Sequence, residues 1–156
     1  MFRSVLVVCV GNICRSPVGE RLLSARLQER GIAMAVSSAG IAALVGHPAD
    51  ETAALVAKAH GLGLEGHVAR QFSRELGLKH DLILTMEAGH RRQIINVAPD
   101  LSGRVMLFDH WLGGKSIPDP YKKPPQVHEE VFDLIEAAAD AWAGKLAASG
   151  SGGSHG

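Results

Sequence analysis

Val5-Leu6-Val7-Val8-Cys9-Val10-Gly11-Asn12-Ile13-Cys14-Arg15-Ser16-Pro17 is the stretch on which the fold turns. Its first four residues are an unbroken β-branched and leucine run, the pattern of a strand buried on both faces of a parallel sheet rather than of an alternating surface strand. Ser16-Pro17 reads as a helix start, because serine is a favoured N-cap and proline is tolerated at the first helical position, where its missing N–H costs nothing. Val18, Leu22 and Ala25, with Leu23 and Leu27 beside them, form a helical stripe that Gly31 ends. Strand, loop and helix follow one another without interruption.

Outward from this unit the alternation continues. A short strand is expected near Ala33–Ser37, then a helix from about Ala49 to His60 with Asp50 in its first turn and Gly61 after it. Asp81–Met86 is the next strand, followed by a helix over Ala88–Val97 that Pro99 closes. Arg104–Phe108 reads as a fourth strand and Val127–Ala147 as a long helix with Val131, Leu134, Ile135, Ala138 and Trp142 on one side. Strands alternating with helices imply βαβ units and a parallel sheet with helices on both faces, and such sheets bind ligands beyond the carboxyl ends of their strands. Residues 1–148 are read as one domain and the Gly/Ser-rich stretch 149–156 as a disordered tail.

Composition narrows the class. A chain of 156 residues, 46% of them hydrophobic, suffices for one core without a metal or disulfide. Sixteen Lys and Arg balance sixteen Asp and Glu, and aromatic residues make up only 4%. Neither a general nucleic-acid binder nor a base-stacking platform is expected. No apolar run reaches the length of a membrane span, and the first residues lack a signal-peptide layout. A cytoplasmic, monomeric protein without membrane insertion is expected. Two cysteines, Cys9 and Cys14, are too few and too close to brace a fold.

Their placement points to chemistry instead. A loop entering a helix presents unpaired backbone N–H groups and the positive end of a helix dipole, which together hold a dianion. Gly11 allows the backbone conformations of such a nest, and Arg15 supplies a planar fork for two phosphoryl oxygens. Cys9 opens this positive loop, whose polarity favours a thiolate. A thiolate over a bound phosphate is a nucleophile in position, and the expected intermediate is phosphocysteine. A cysteine ending a buried strand is by itself most often a small hydrophobe. The coincidence of strand, glycine-containing loop, arginine, serine and proline in nine residues is what favours catalysis.

Cys9-Val10-Gly11-Asn12-Ile13-Cys14-Arg15-Ser16-Pro17 resembles the phosphate-binding loop of the low-molecular-weight protein tyrosine phosphatases, and Ile117-Pro118-Asp119-Pro120-Tyr121 resembles that family's late Asp-Pro motif. The likeness extends to about Ala148. Ser38-Ala39-Gly40, Leu44-Val45-Gly46, Glu65-Gly66-His67, Asp81–Glu87 and Val105–Phe108 are most similar to the bacterial branch encoded with exopolysaccharide or capsule machinery. The expected fold is a single α/β domain, a four-stranded parallel sheet in order 2-1-3-4 with helices on both faces.

The resemblance implies hydrolysis of protein phosphotyrosine. Cys9 is then the nucleophile, Arg15 the phosphate clamp, Asp119 the general acid and later base, and Ser16 both helix cap and stabiliser of the Cys9 thiolate. Val10, Gly11, Asn12, Ile13, Cys14 and Arg15 make up the phosphate-binding loop; Asn12, Ser38 and His67 hold its shape; Ile13, Leu44 and Tyr121 flank the phenyl ring. Cys14 is the family's second loop cysteine, either a reversible disulfide partner that guards Cys9 from over-oxidation or a packed thiol. Leu44 stands where eukaryotic members carry an aromatic residue, and Lys122 where a second tyrosine is common. With Lys123, Arg70 and Arg91, Lys122 could favour acidic substrates, although such a run is more often a solvated loop.

The branch resemblance implies a bacterial tyrosine autokinase of polysaccharide export as the substrate. The eight histidines show no metal-type pairing on a helix face, and Cys9 with Arg15 replaces the charge neutralisation of a metal, so no metal or cofactor is expected. Three alternatives use the same loop. An arsenate reductase needs a downstream cysteine pair, and no cysteine follows Cys14. A non-catalytic phosphotyrosine-binding module requires neither Cys9 nor Asp119. A redox switch using Cys9 and Cys14 does not need Asp119.

Overall fold

The computed structural model describes residues 2–155, and side chains from 2 to 149. The buried run at the start of the chain forms β1 (Ser4–Cys9), fully enclosed from Val5 onward. It pairs in parallel with β2 (Ala35–Gly40) on one side and β3 (Leu82–Thr85) on the other, and β3 pairs with β4 (Val105–Leu107). The sheet order is β2-β1-β3-β4, the order expected.

The helices are α1 (Arg15–Glu29), α2 (Glu51–Ala59), α3 (Arg74–Leu78), α4 (Ala88–Val97) and α5 (Pro125–His155). Because side chains alternate across a strand, β1 feeds two cores. Val5, Val7 and Cys9 face Leu22, Leu23, Val56, Phe132, Ile135 and Trp142 of α1, α2 and α5. Leu6 and Val8 face Phe72, Ile94 and Leu101 on the side of α3 and α4. In α1, a Cβ on Gly19 would meet Val7 at 3.2 Å and Phe108 at 3.3 Å, so the helix lies directly on the sheet. That close seat fixes the loop between β1 and α1.

Four expectations need correction. The second strand begins at Ala35 and runs to Gly40, carrying the residues beside the loop into the sheet. The short α3, capped by Ser73 Oγ accepting from Leu76 N at 3.1 Å, falls where no helix was expected. On α5, Val131, Ile135, Ala138 and Trp142 are buried, but Leu134 is 46% exposed. The same helix starts at Pro125 and takes in most of the stretch 149–156 that was expected to be disordered, where side chains from 150 onward lie outside the described residues. Among the described residues, no helix is long and apolar enough to cross a membrane.

Candidate active site

The loop after β1 lies at the carboxyl end of the sheet, where Cys9 is opposite Gly40. Its carbonyl groups point outward. Cys9 O accepts from Ile41 N, Val10 O from Ala42 N, Gly11 O from Leu44 N and Ile13 O from Asp50 N, at 2.8–3.1 Å. Asn12 O accepts from His67 Nε2 at 2.6 Å. With the carbonyls engaged on the outside, the N–H groups of Gly11 to Cys14 have no hydrogen-bond acceptor among the described residues. They curl around the cleft ahead of the first turn of α1, which begins at Arg15. This is the anion cradle expected, held open by five outward bonds.

The left-handed residue in the loop is Asn12 (φ 59°), and Gly11 is not at positive φ. Glycine is therefore not what permits the turn. Asn12 tolerates it because asparagine is among the residues that adopt this conformation most readily, and its side chain and carbonyl are both held by hydrogen bonds. Its Oδ1 accepts from Arg70 N at 2.9 Å, which identifies Nδ2 as the donor to Ser16 Oγ (2.7 Å) and Ser38 Oγ (3.0 Å). Ser38 Oγ in turn donates to Glu20 Oε1 at 2.6 Å. Ser16 Oγ accepts from Asn12 Nδ2 and shares a hydrogen bond with Cys9 Sγ, 2.9 Å away, in which the hydroxyl is the donor whenever Cys9 is a thiolate. Ser16 does not cap α1: the N-cap is Cys14, with no side-chain cap bond, and the Ser16 hydroxyl serves the thiol instead.

Arg15 is 1% exposed, yet it borders the cleft. Nη1 donates to Glu87 Oε2 at 2.6 Å and to Ile117 O at 2.7 Å. One edge of the guanidinium is thereby fixed, while Nη2 lies 3.7 Å from Asp119 Oδ2. Arg15 thus lines the same cleft as the loop and Asp119, where a guanidinium can make a forked contact. Asp119 is held by its own turn, Oδ1 accepting from Tyr121 N at 3.0 Å, and its carboxylate is about half exposed at the mouth.

Cys9, Val10, Gly11, Ile13, Cys14, Arg15, Ala42, Leu44, Asp119 and Tyr121 line a cleft of about 180 Å³. The three expected wall residues are all among them. Asn12 within the loop, and Ser38 and His67 that bond to it, are each buried. Arg70 and Arg91 do not line the cleft: Arg70 Nε donates to Ser38 O and Arg91 Nε to Val105 O, so both are tied into the fold. Lys122 is exposed, its Nζ 5.5 Å from the Tyr121 ring centre.

Burial pushes the Cys14 thiol far up, and the carboxylate of Asp50 and the neighbouring Cys9 add to it, so Cys14 remains a thiol at neutral pH. Glu87 and His90 escaped the sequence reading. His90 Nε2 lies 3.3 Å from the Glu87 oxygen that Arg15 grips. The available signal was topological: Glu87 follows β3, the neighbour of β1, so it must emerge beside the loop.

Comparison with known proteins agrees with this geometry. The chain matches the family described as low molecular weight phosphotyrosine protein phosphatase over residues 4–151. It is 50% identical to the low molecular weight protein-tyrosine-phosphatase Etp of Escherichia coli K12, over 93% of this chain and 95% of that one. The crystal structure of the tyrosine phosphatase Wzb from E. coli K30 in complex with sulphate superposes with a TM-score of 0.89 at 48% identity, covering 94% of this chain and 99% of the other. Wzb of Vibrio vulnificus in complex with benzylphosphonate gives 0.88 at 45%, covering 93% and 99%. A cradle of free N–H groups, a cysteine at its base and likeness along almost the entire chain lead to one assignment: this chain belongs to the low molecular weight phosphotyrosine protein phosphatase family.

Proposed function

We propose that the chain hydrolyses protein phosphotyrosine in two steps through a phosphocysteine at Cys9. The observation that carries this reading is the meeting, in one cleft, of Cys9 Sγ, hydrogen-bonded to the hydroxyl of Ser16, with the fixed guanidinium of Arg15 and the carboxyl of Asp119. The loop N–H groups and Arg15 bind the phosphoryl oxygens. In the first step Cys9 sulfur bonds to phosphorus as the P–O bond to the tyrosine breaks, and Asp119 gives its proton to the departing phenolate oxygen. In the second, Asp119 takes a proton from water as the water oxygen attacks phosphorus and the P–S bond breaks. Ser16 Oγ donates to the sulfur that leaves, while Asn12, Ser38 and His67 hold the loop. Inorganic phosphate is released with no metal or cofactor taking part.

Tyrosine is favoured by the apolar walls Ile13, Leu44 and Tyr121, which meet a phenyl ring on its way to the cradle. In that role Val10, Gly11, Asn12, Ile13, Cys14 and Arg15 are the phosphate loop. Cys14 is the partner for Cys9 when peroxide oxidises it to the sulfenic acid: the Cys14 sulfur bonds to the Cys9 sulfur as its thiol proton passes to the departing hydroxyl, which leaves as water, and a reversible disulfide forms. The physiological substrate is a tyrosine autokinase of bacterial polysaccharide export, dephosphorylated on its tail in the cytoplasm by this chain acting as a monomer. The resemblance to the exopolysaccharide branch supports this. Incubation with phosphotyrosine and phosphoserine peptides tests the reading: phosphate release from phosphotyrosine alone, abolished in Cys9→Ser, is expected. Equal release from both peptides, or an active Cys9→Ser, refutes it.

A further inference from the structure

Arg15 reaches Glu87 and Ile117 O through a single nitrogen, Nη1, so the angle of its free edge depends on how firmly Glu87 is held. Glu87 starts α4 without capping it by its side chain, and its carboxylate is 38% exposed. A half-exposed carboxylate on a helix end has several rotamers. His90, three residues on, restricts them: its ring is buried and Nε2 lies 3.3 Å from Oε2, the oxygen that binds Arg15. At this ion-pair distance the carboxylate oxygen, which only accepts, favours the tautomer with its proton on Nε2. Nδ1 is buried with no hydrogen-bond partner among the described residues, so a second ring proton would have no acceptor there. Burial, and then the positive Arg15, hold the imidazole below its ordinary value against the pull of Glu87, which agrees with a neutral ring.

A buried imidazole with one nitrogen unpaired costs stability that an apolar side chain of similar volume would avoid. We infer that His90 is a positioning residue for the phosphatase reaction: its Nε2–H fixes Glu87, which fixes Arg15 so that the free edge of the guanidinium meets the phosphoryl oxygens. This rests on the reading of Arg15 as phosphate clamp. His90 touches neither substrate nor the reacting atoms, and its effect passes through one oxygen.

The test is a double-mutant cycle on His90 and Glu87, read by the affinity for inorganic phosphate in calorimetry, by kcat/KM for p-nitrophenyl phosphate and by Tm. His90→Leu should weaken phosphate binding about tenfold while keeping or raising Tm, since it removes the orphaned nitrogen. His90→Gln, which can place an N–H donor at the same reach, should restore most of that affinity. In a Glu87→Gln background, His90→Leu should add less than about a twofold effect. Wild-type phosphate affinity in His90→Leu, an equal loss in both backgrounds, or no rescue by glutamine overturns the inference. A wild type that neither binds phosphate nor hydrolyses the ester overturns instead the reading on which it rests.

Discussion

Gly40→Ala is the sharpest steric probe of the loop. A Cβ at this position would overlap the carbonyl oxygen of Val10, well inside the 3.0 Å that real Cβ atoms essentially never undercut, and would crowd Asn12 N at 3.0 Å and Asn12 Cβ at 3.1 Å. Gly40 cannot retreat, because its N–H donates to Arg70 O and its carbonyl accepts from Phe72 N, at 3.0 and 2.8 Å. The loop must move instead, and with it the bond from Ala42 N to Val10 O. A displacement on the order of 1 Å in groups that position a reacting centre costs about 10²-fold in rate. Overpacking of this kind destabilises by about 1–3 kcal/mol, a fall in Tm of roughly 2–12 °C for a chain of this size. Steady-state hydrolysis of p-nitrophenyl phosphate beside thermal unfolding reads both, with Gly103→Ala, where nothing lies within 4 Å, as control. A Gly40→Ala enzyme within about twofold of wild type in kcat/KM would show that β2 does not set the loop, and the steric argument would fail.

Other consequences can be checked separately. Asp119→Asn should lower kcat towards a phosphotyrosine peptide by about 10²–10⁴-fold, and less towards p-nitrophenyl phosphate, whose leaving group needs little protonation; equal losses on both would remove the acid role. Iodoacetate should modify Cys9 and spare Cys14, whose burial and nearby Asp50 keep it protonated, and phosphate should protect Cys9; peptide mapping that finds Cys14 labelled as fast contradicts this. His60, with Nε2 2.7 Å from Glu129 Oε2, joins α2 to α5, and that carboxylate raises its folded value above the ordinary 6.5. A raised value means the contribution is complete below about pH 6.5 and fades as pH rises through the higher folded value. The Tm advantage of wild type over His60→Gln should therefore shrink on the alkaline side, and an advantage that grows with pH refutes the assignment.

What the sequence reveals here follows from locality. β1 is legible because Val5–Val8 is an unbroken apolar run, and the end of the helix Ala88–Val97 because Pro99 closes it. Cys9, Arg15 and Ser16 are legible because the loop is contiguous. Asp119 lies far along the chain, in a turn that any Pro-Asp-Pro could make, and only resemblance singles it out. Glu87 and His90 are invisible to motif reading because their meaning comes from β1 and β3 lying side by side, a tertiary fact. Ser16 shows the converse failure. Its capping preference is real, but the packed loop offers its hydroxyl a sulfur and an amide, and tertiary contacts outrank the local rule. Arg70 and Arg91 likewise look like surface charge until their hydrogen bonds to backbone carbonyls are seen.

The central claim is that phosphorus is transferred to Cys9. Rapid-quench mass spectrometry of Asp119→Ala with p-nitrophenyl phosphate tests it most directly: the activated leaving group departs without the acid, while loss of the base slows hydrolysis of the intermediate. The account predicts a chain heavier by one phosphoryl group, with the modification mapped to Cys9 and absent from Asp119→Ala/Cys9→Ser. Nitrophenol release in Asp119→Ala that survives the loss of Cys9, or a phosphoryl group mapped to any other residue, contradicts it.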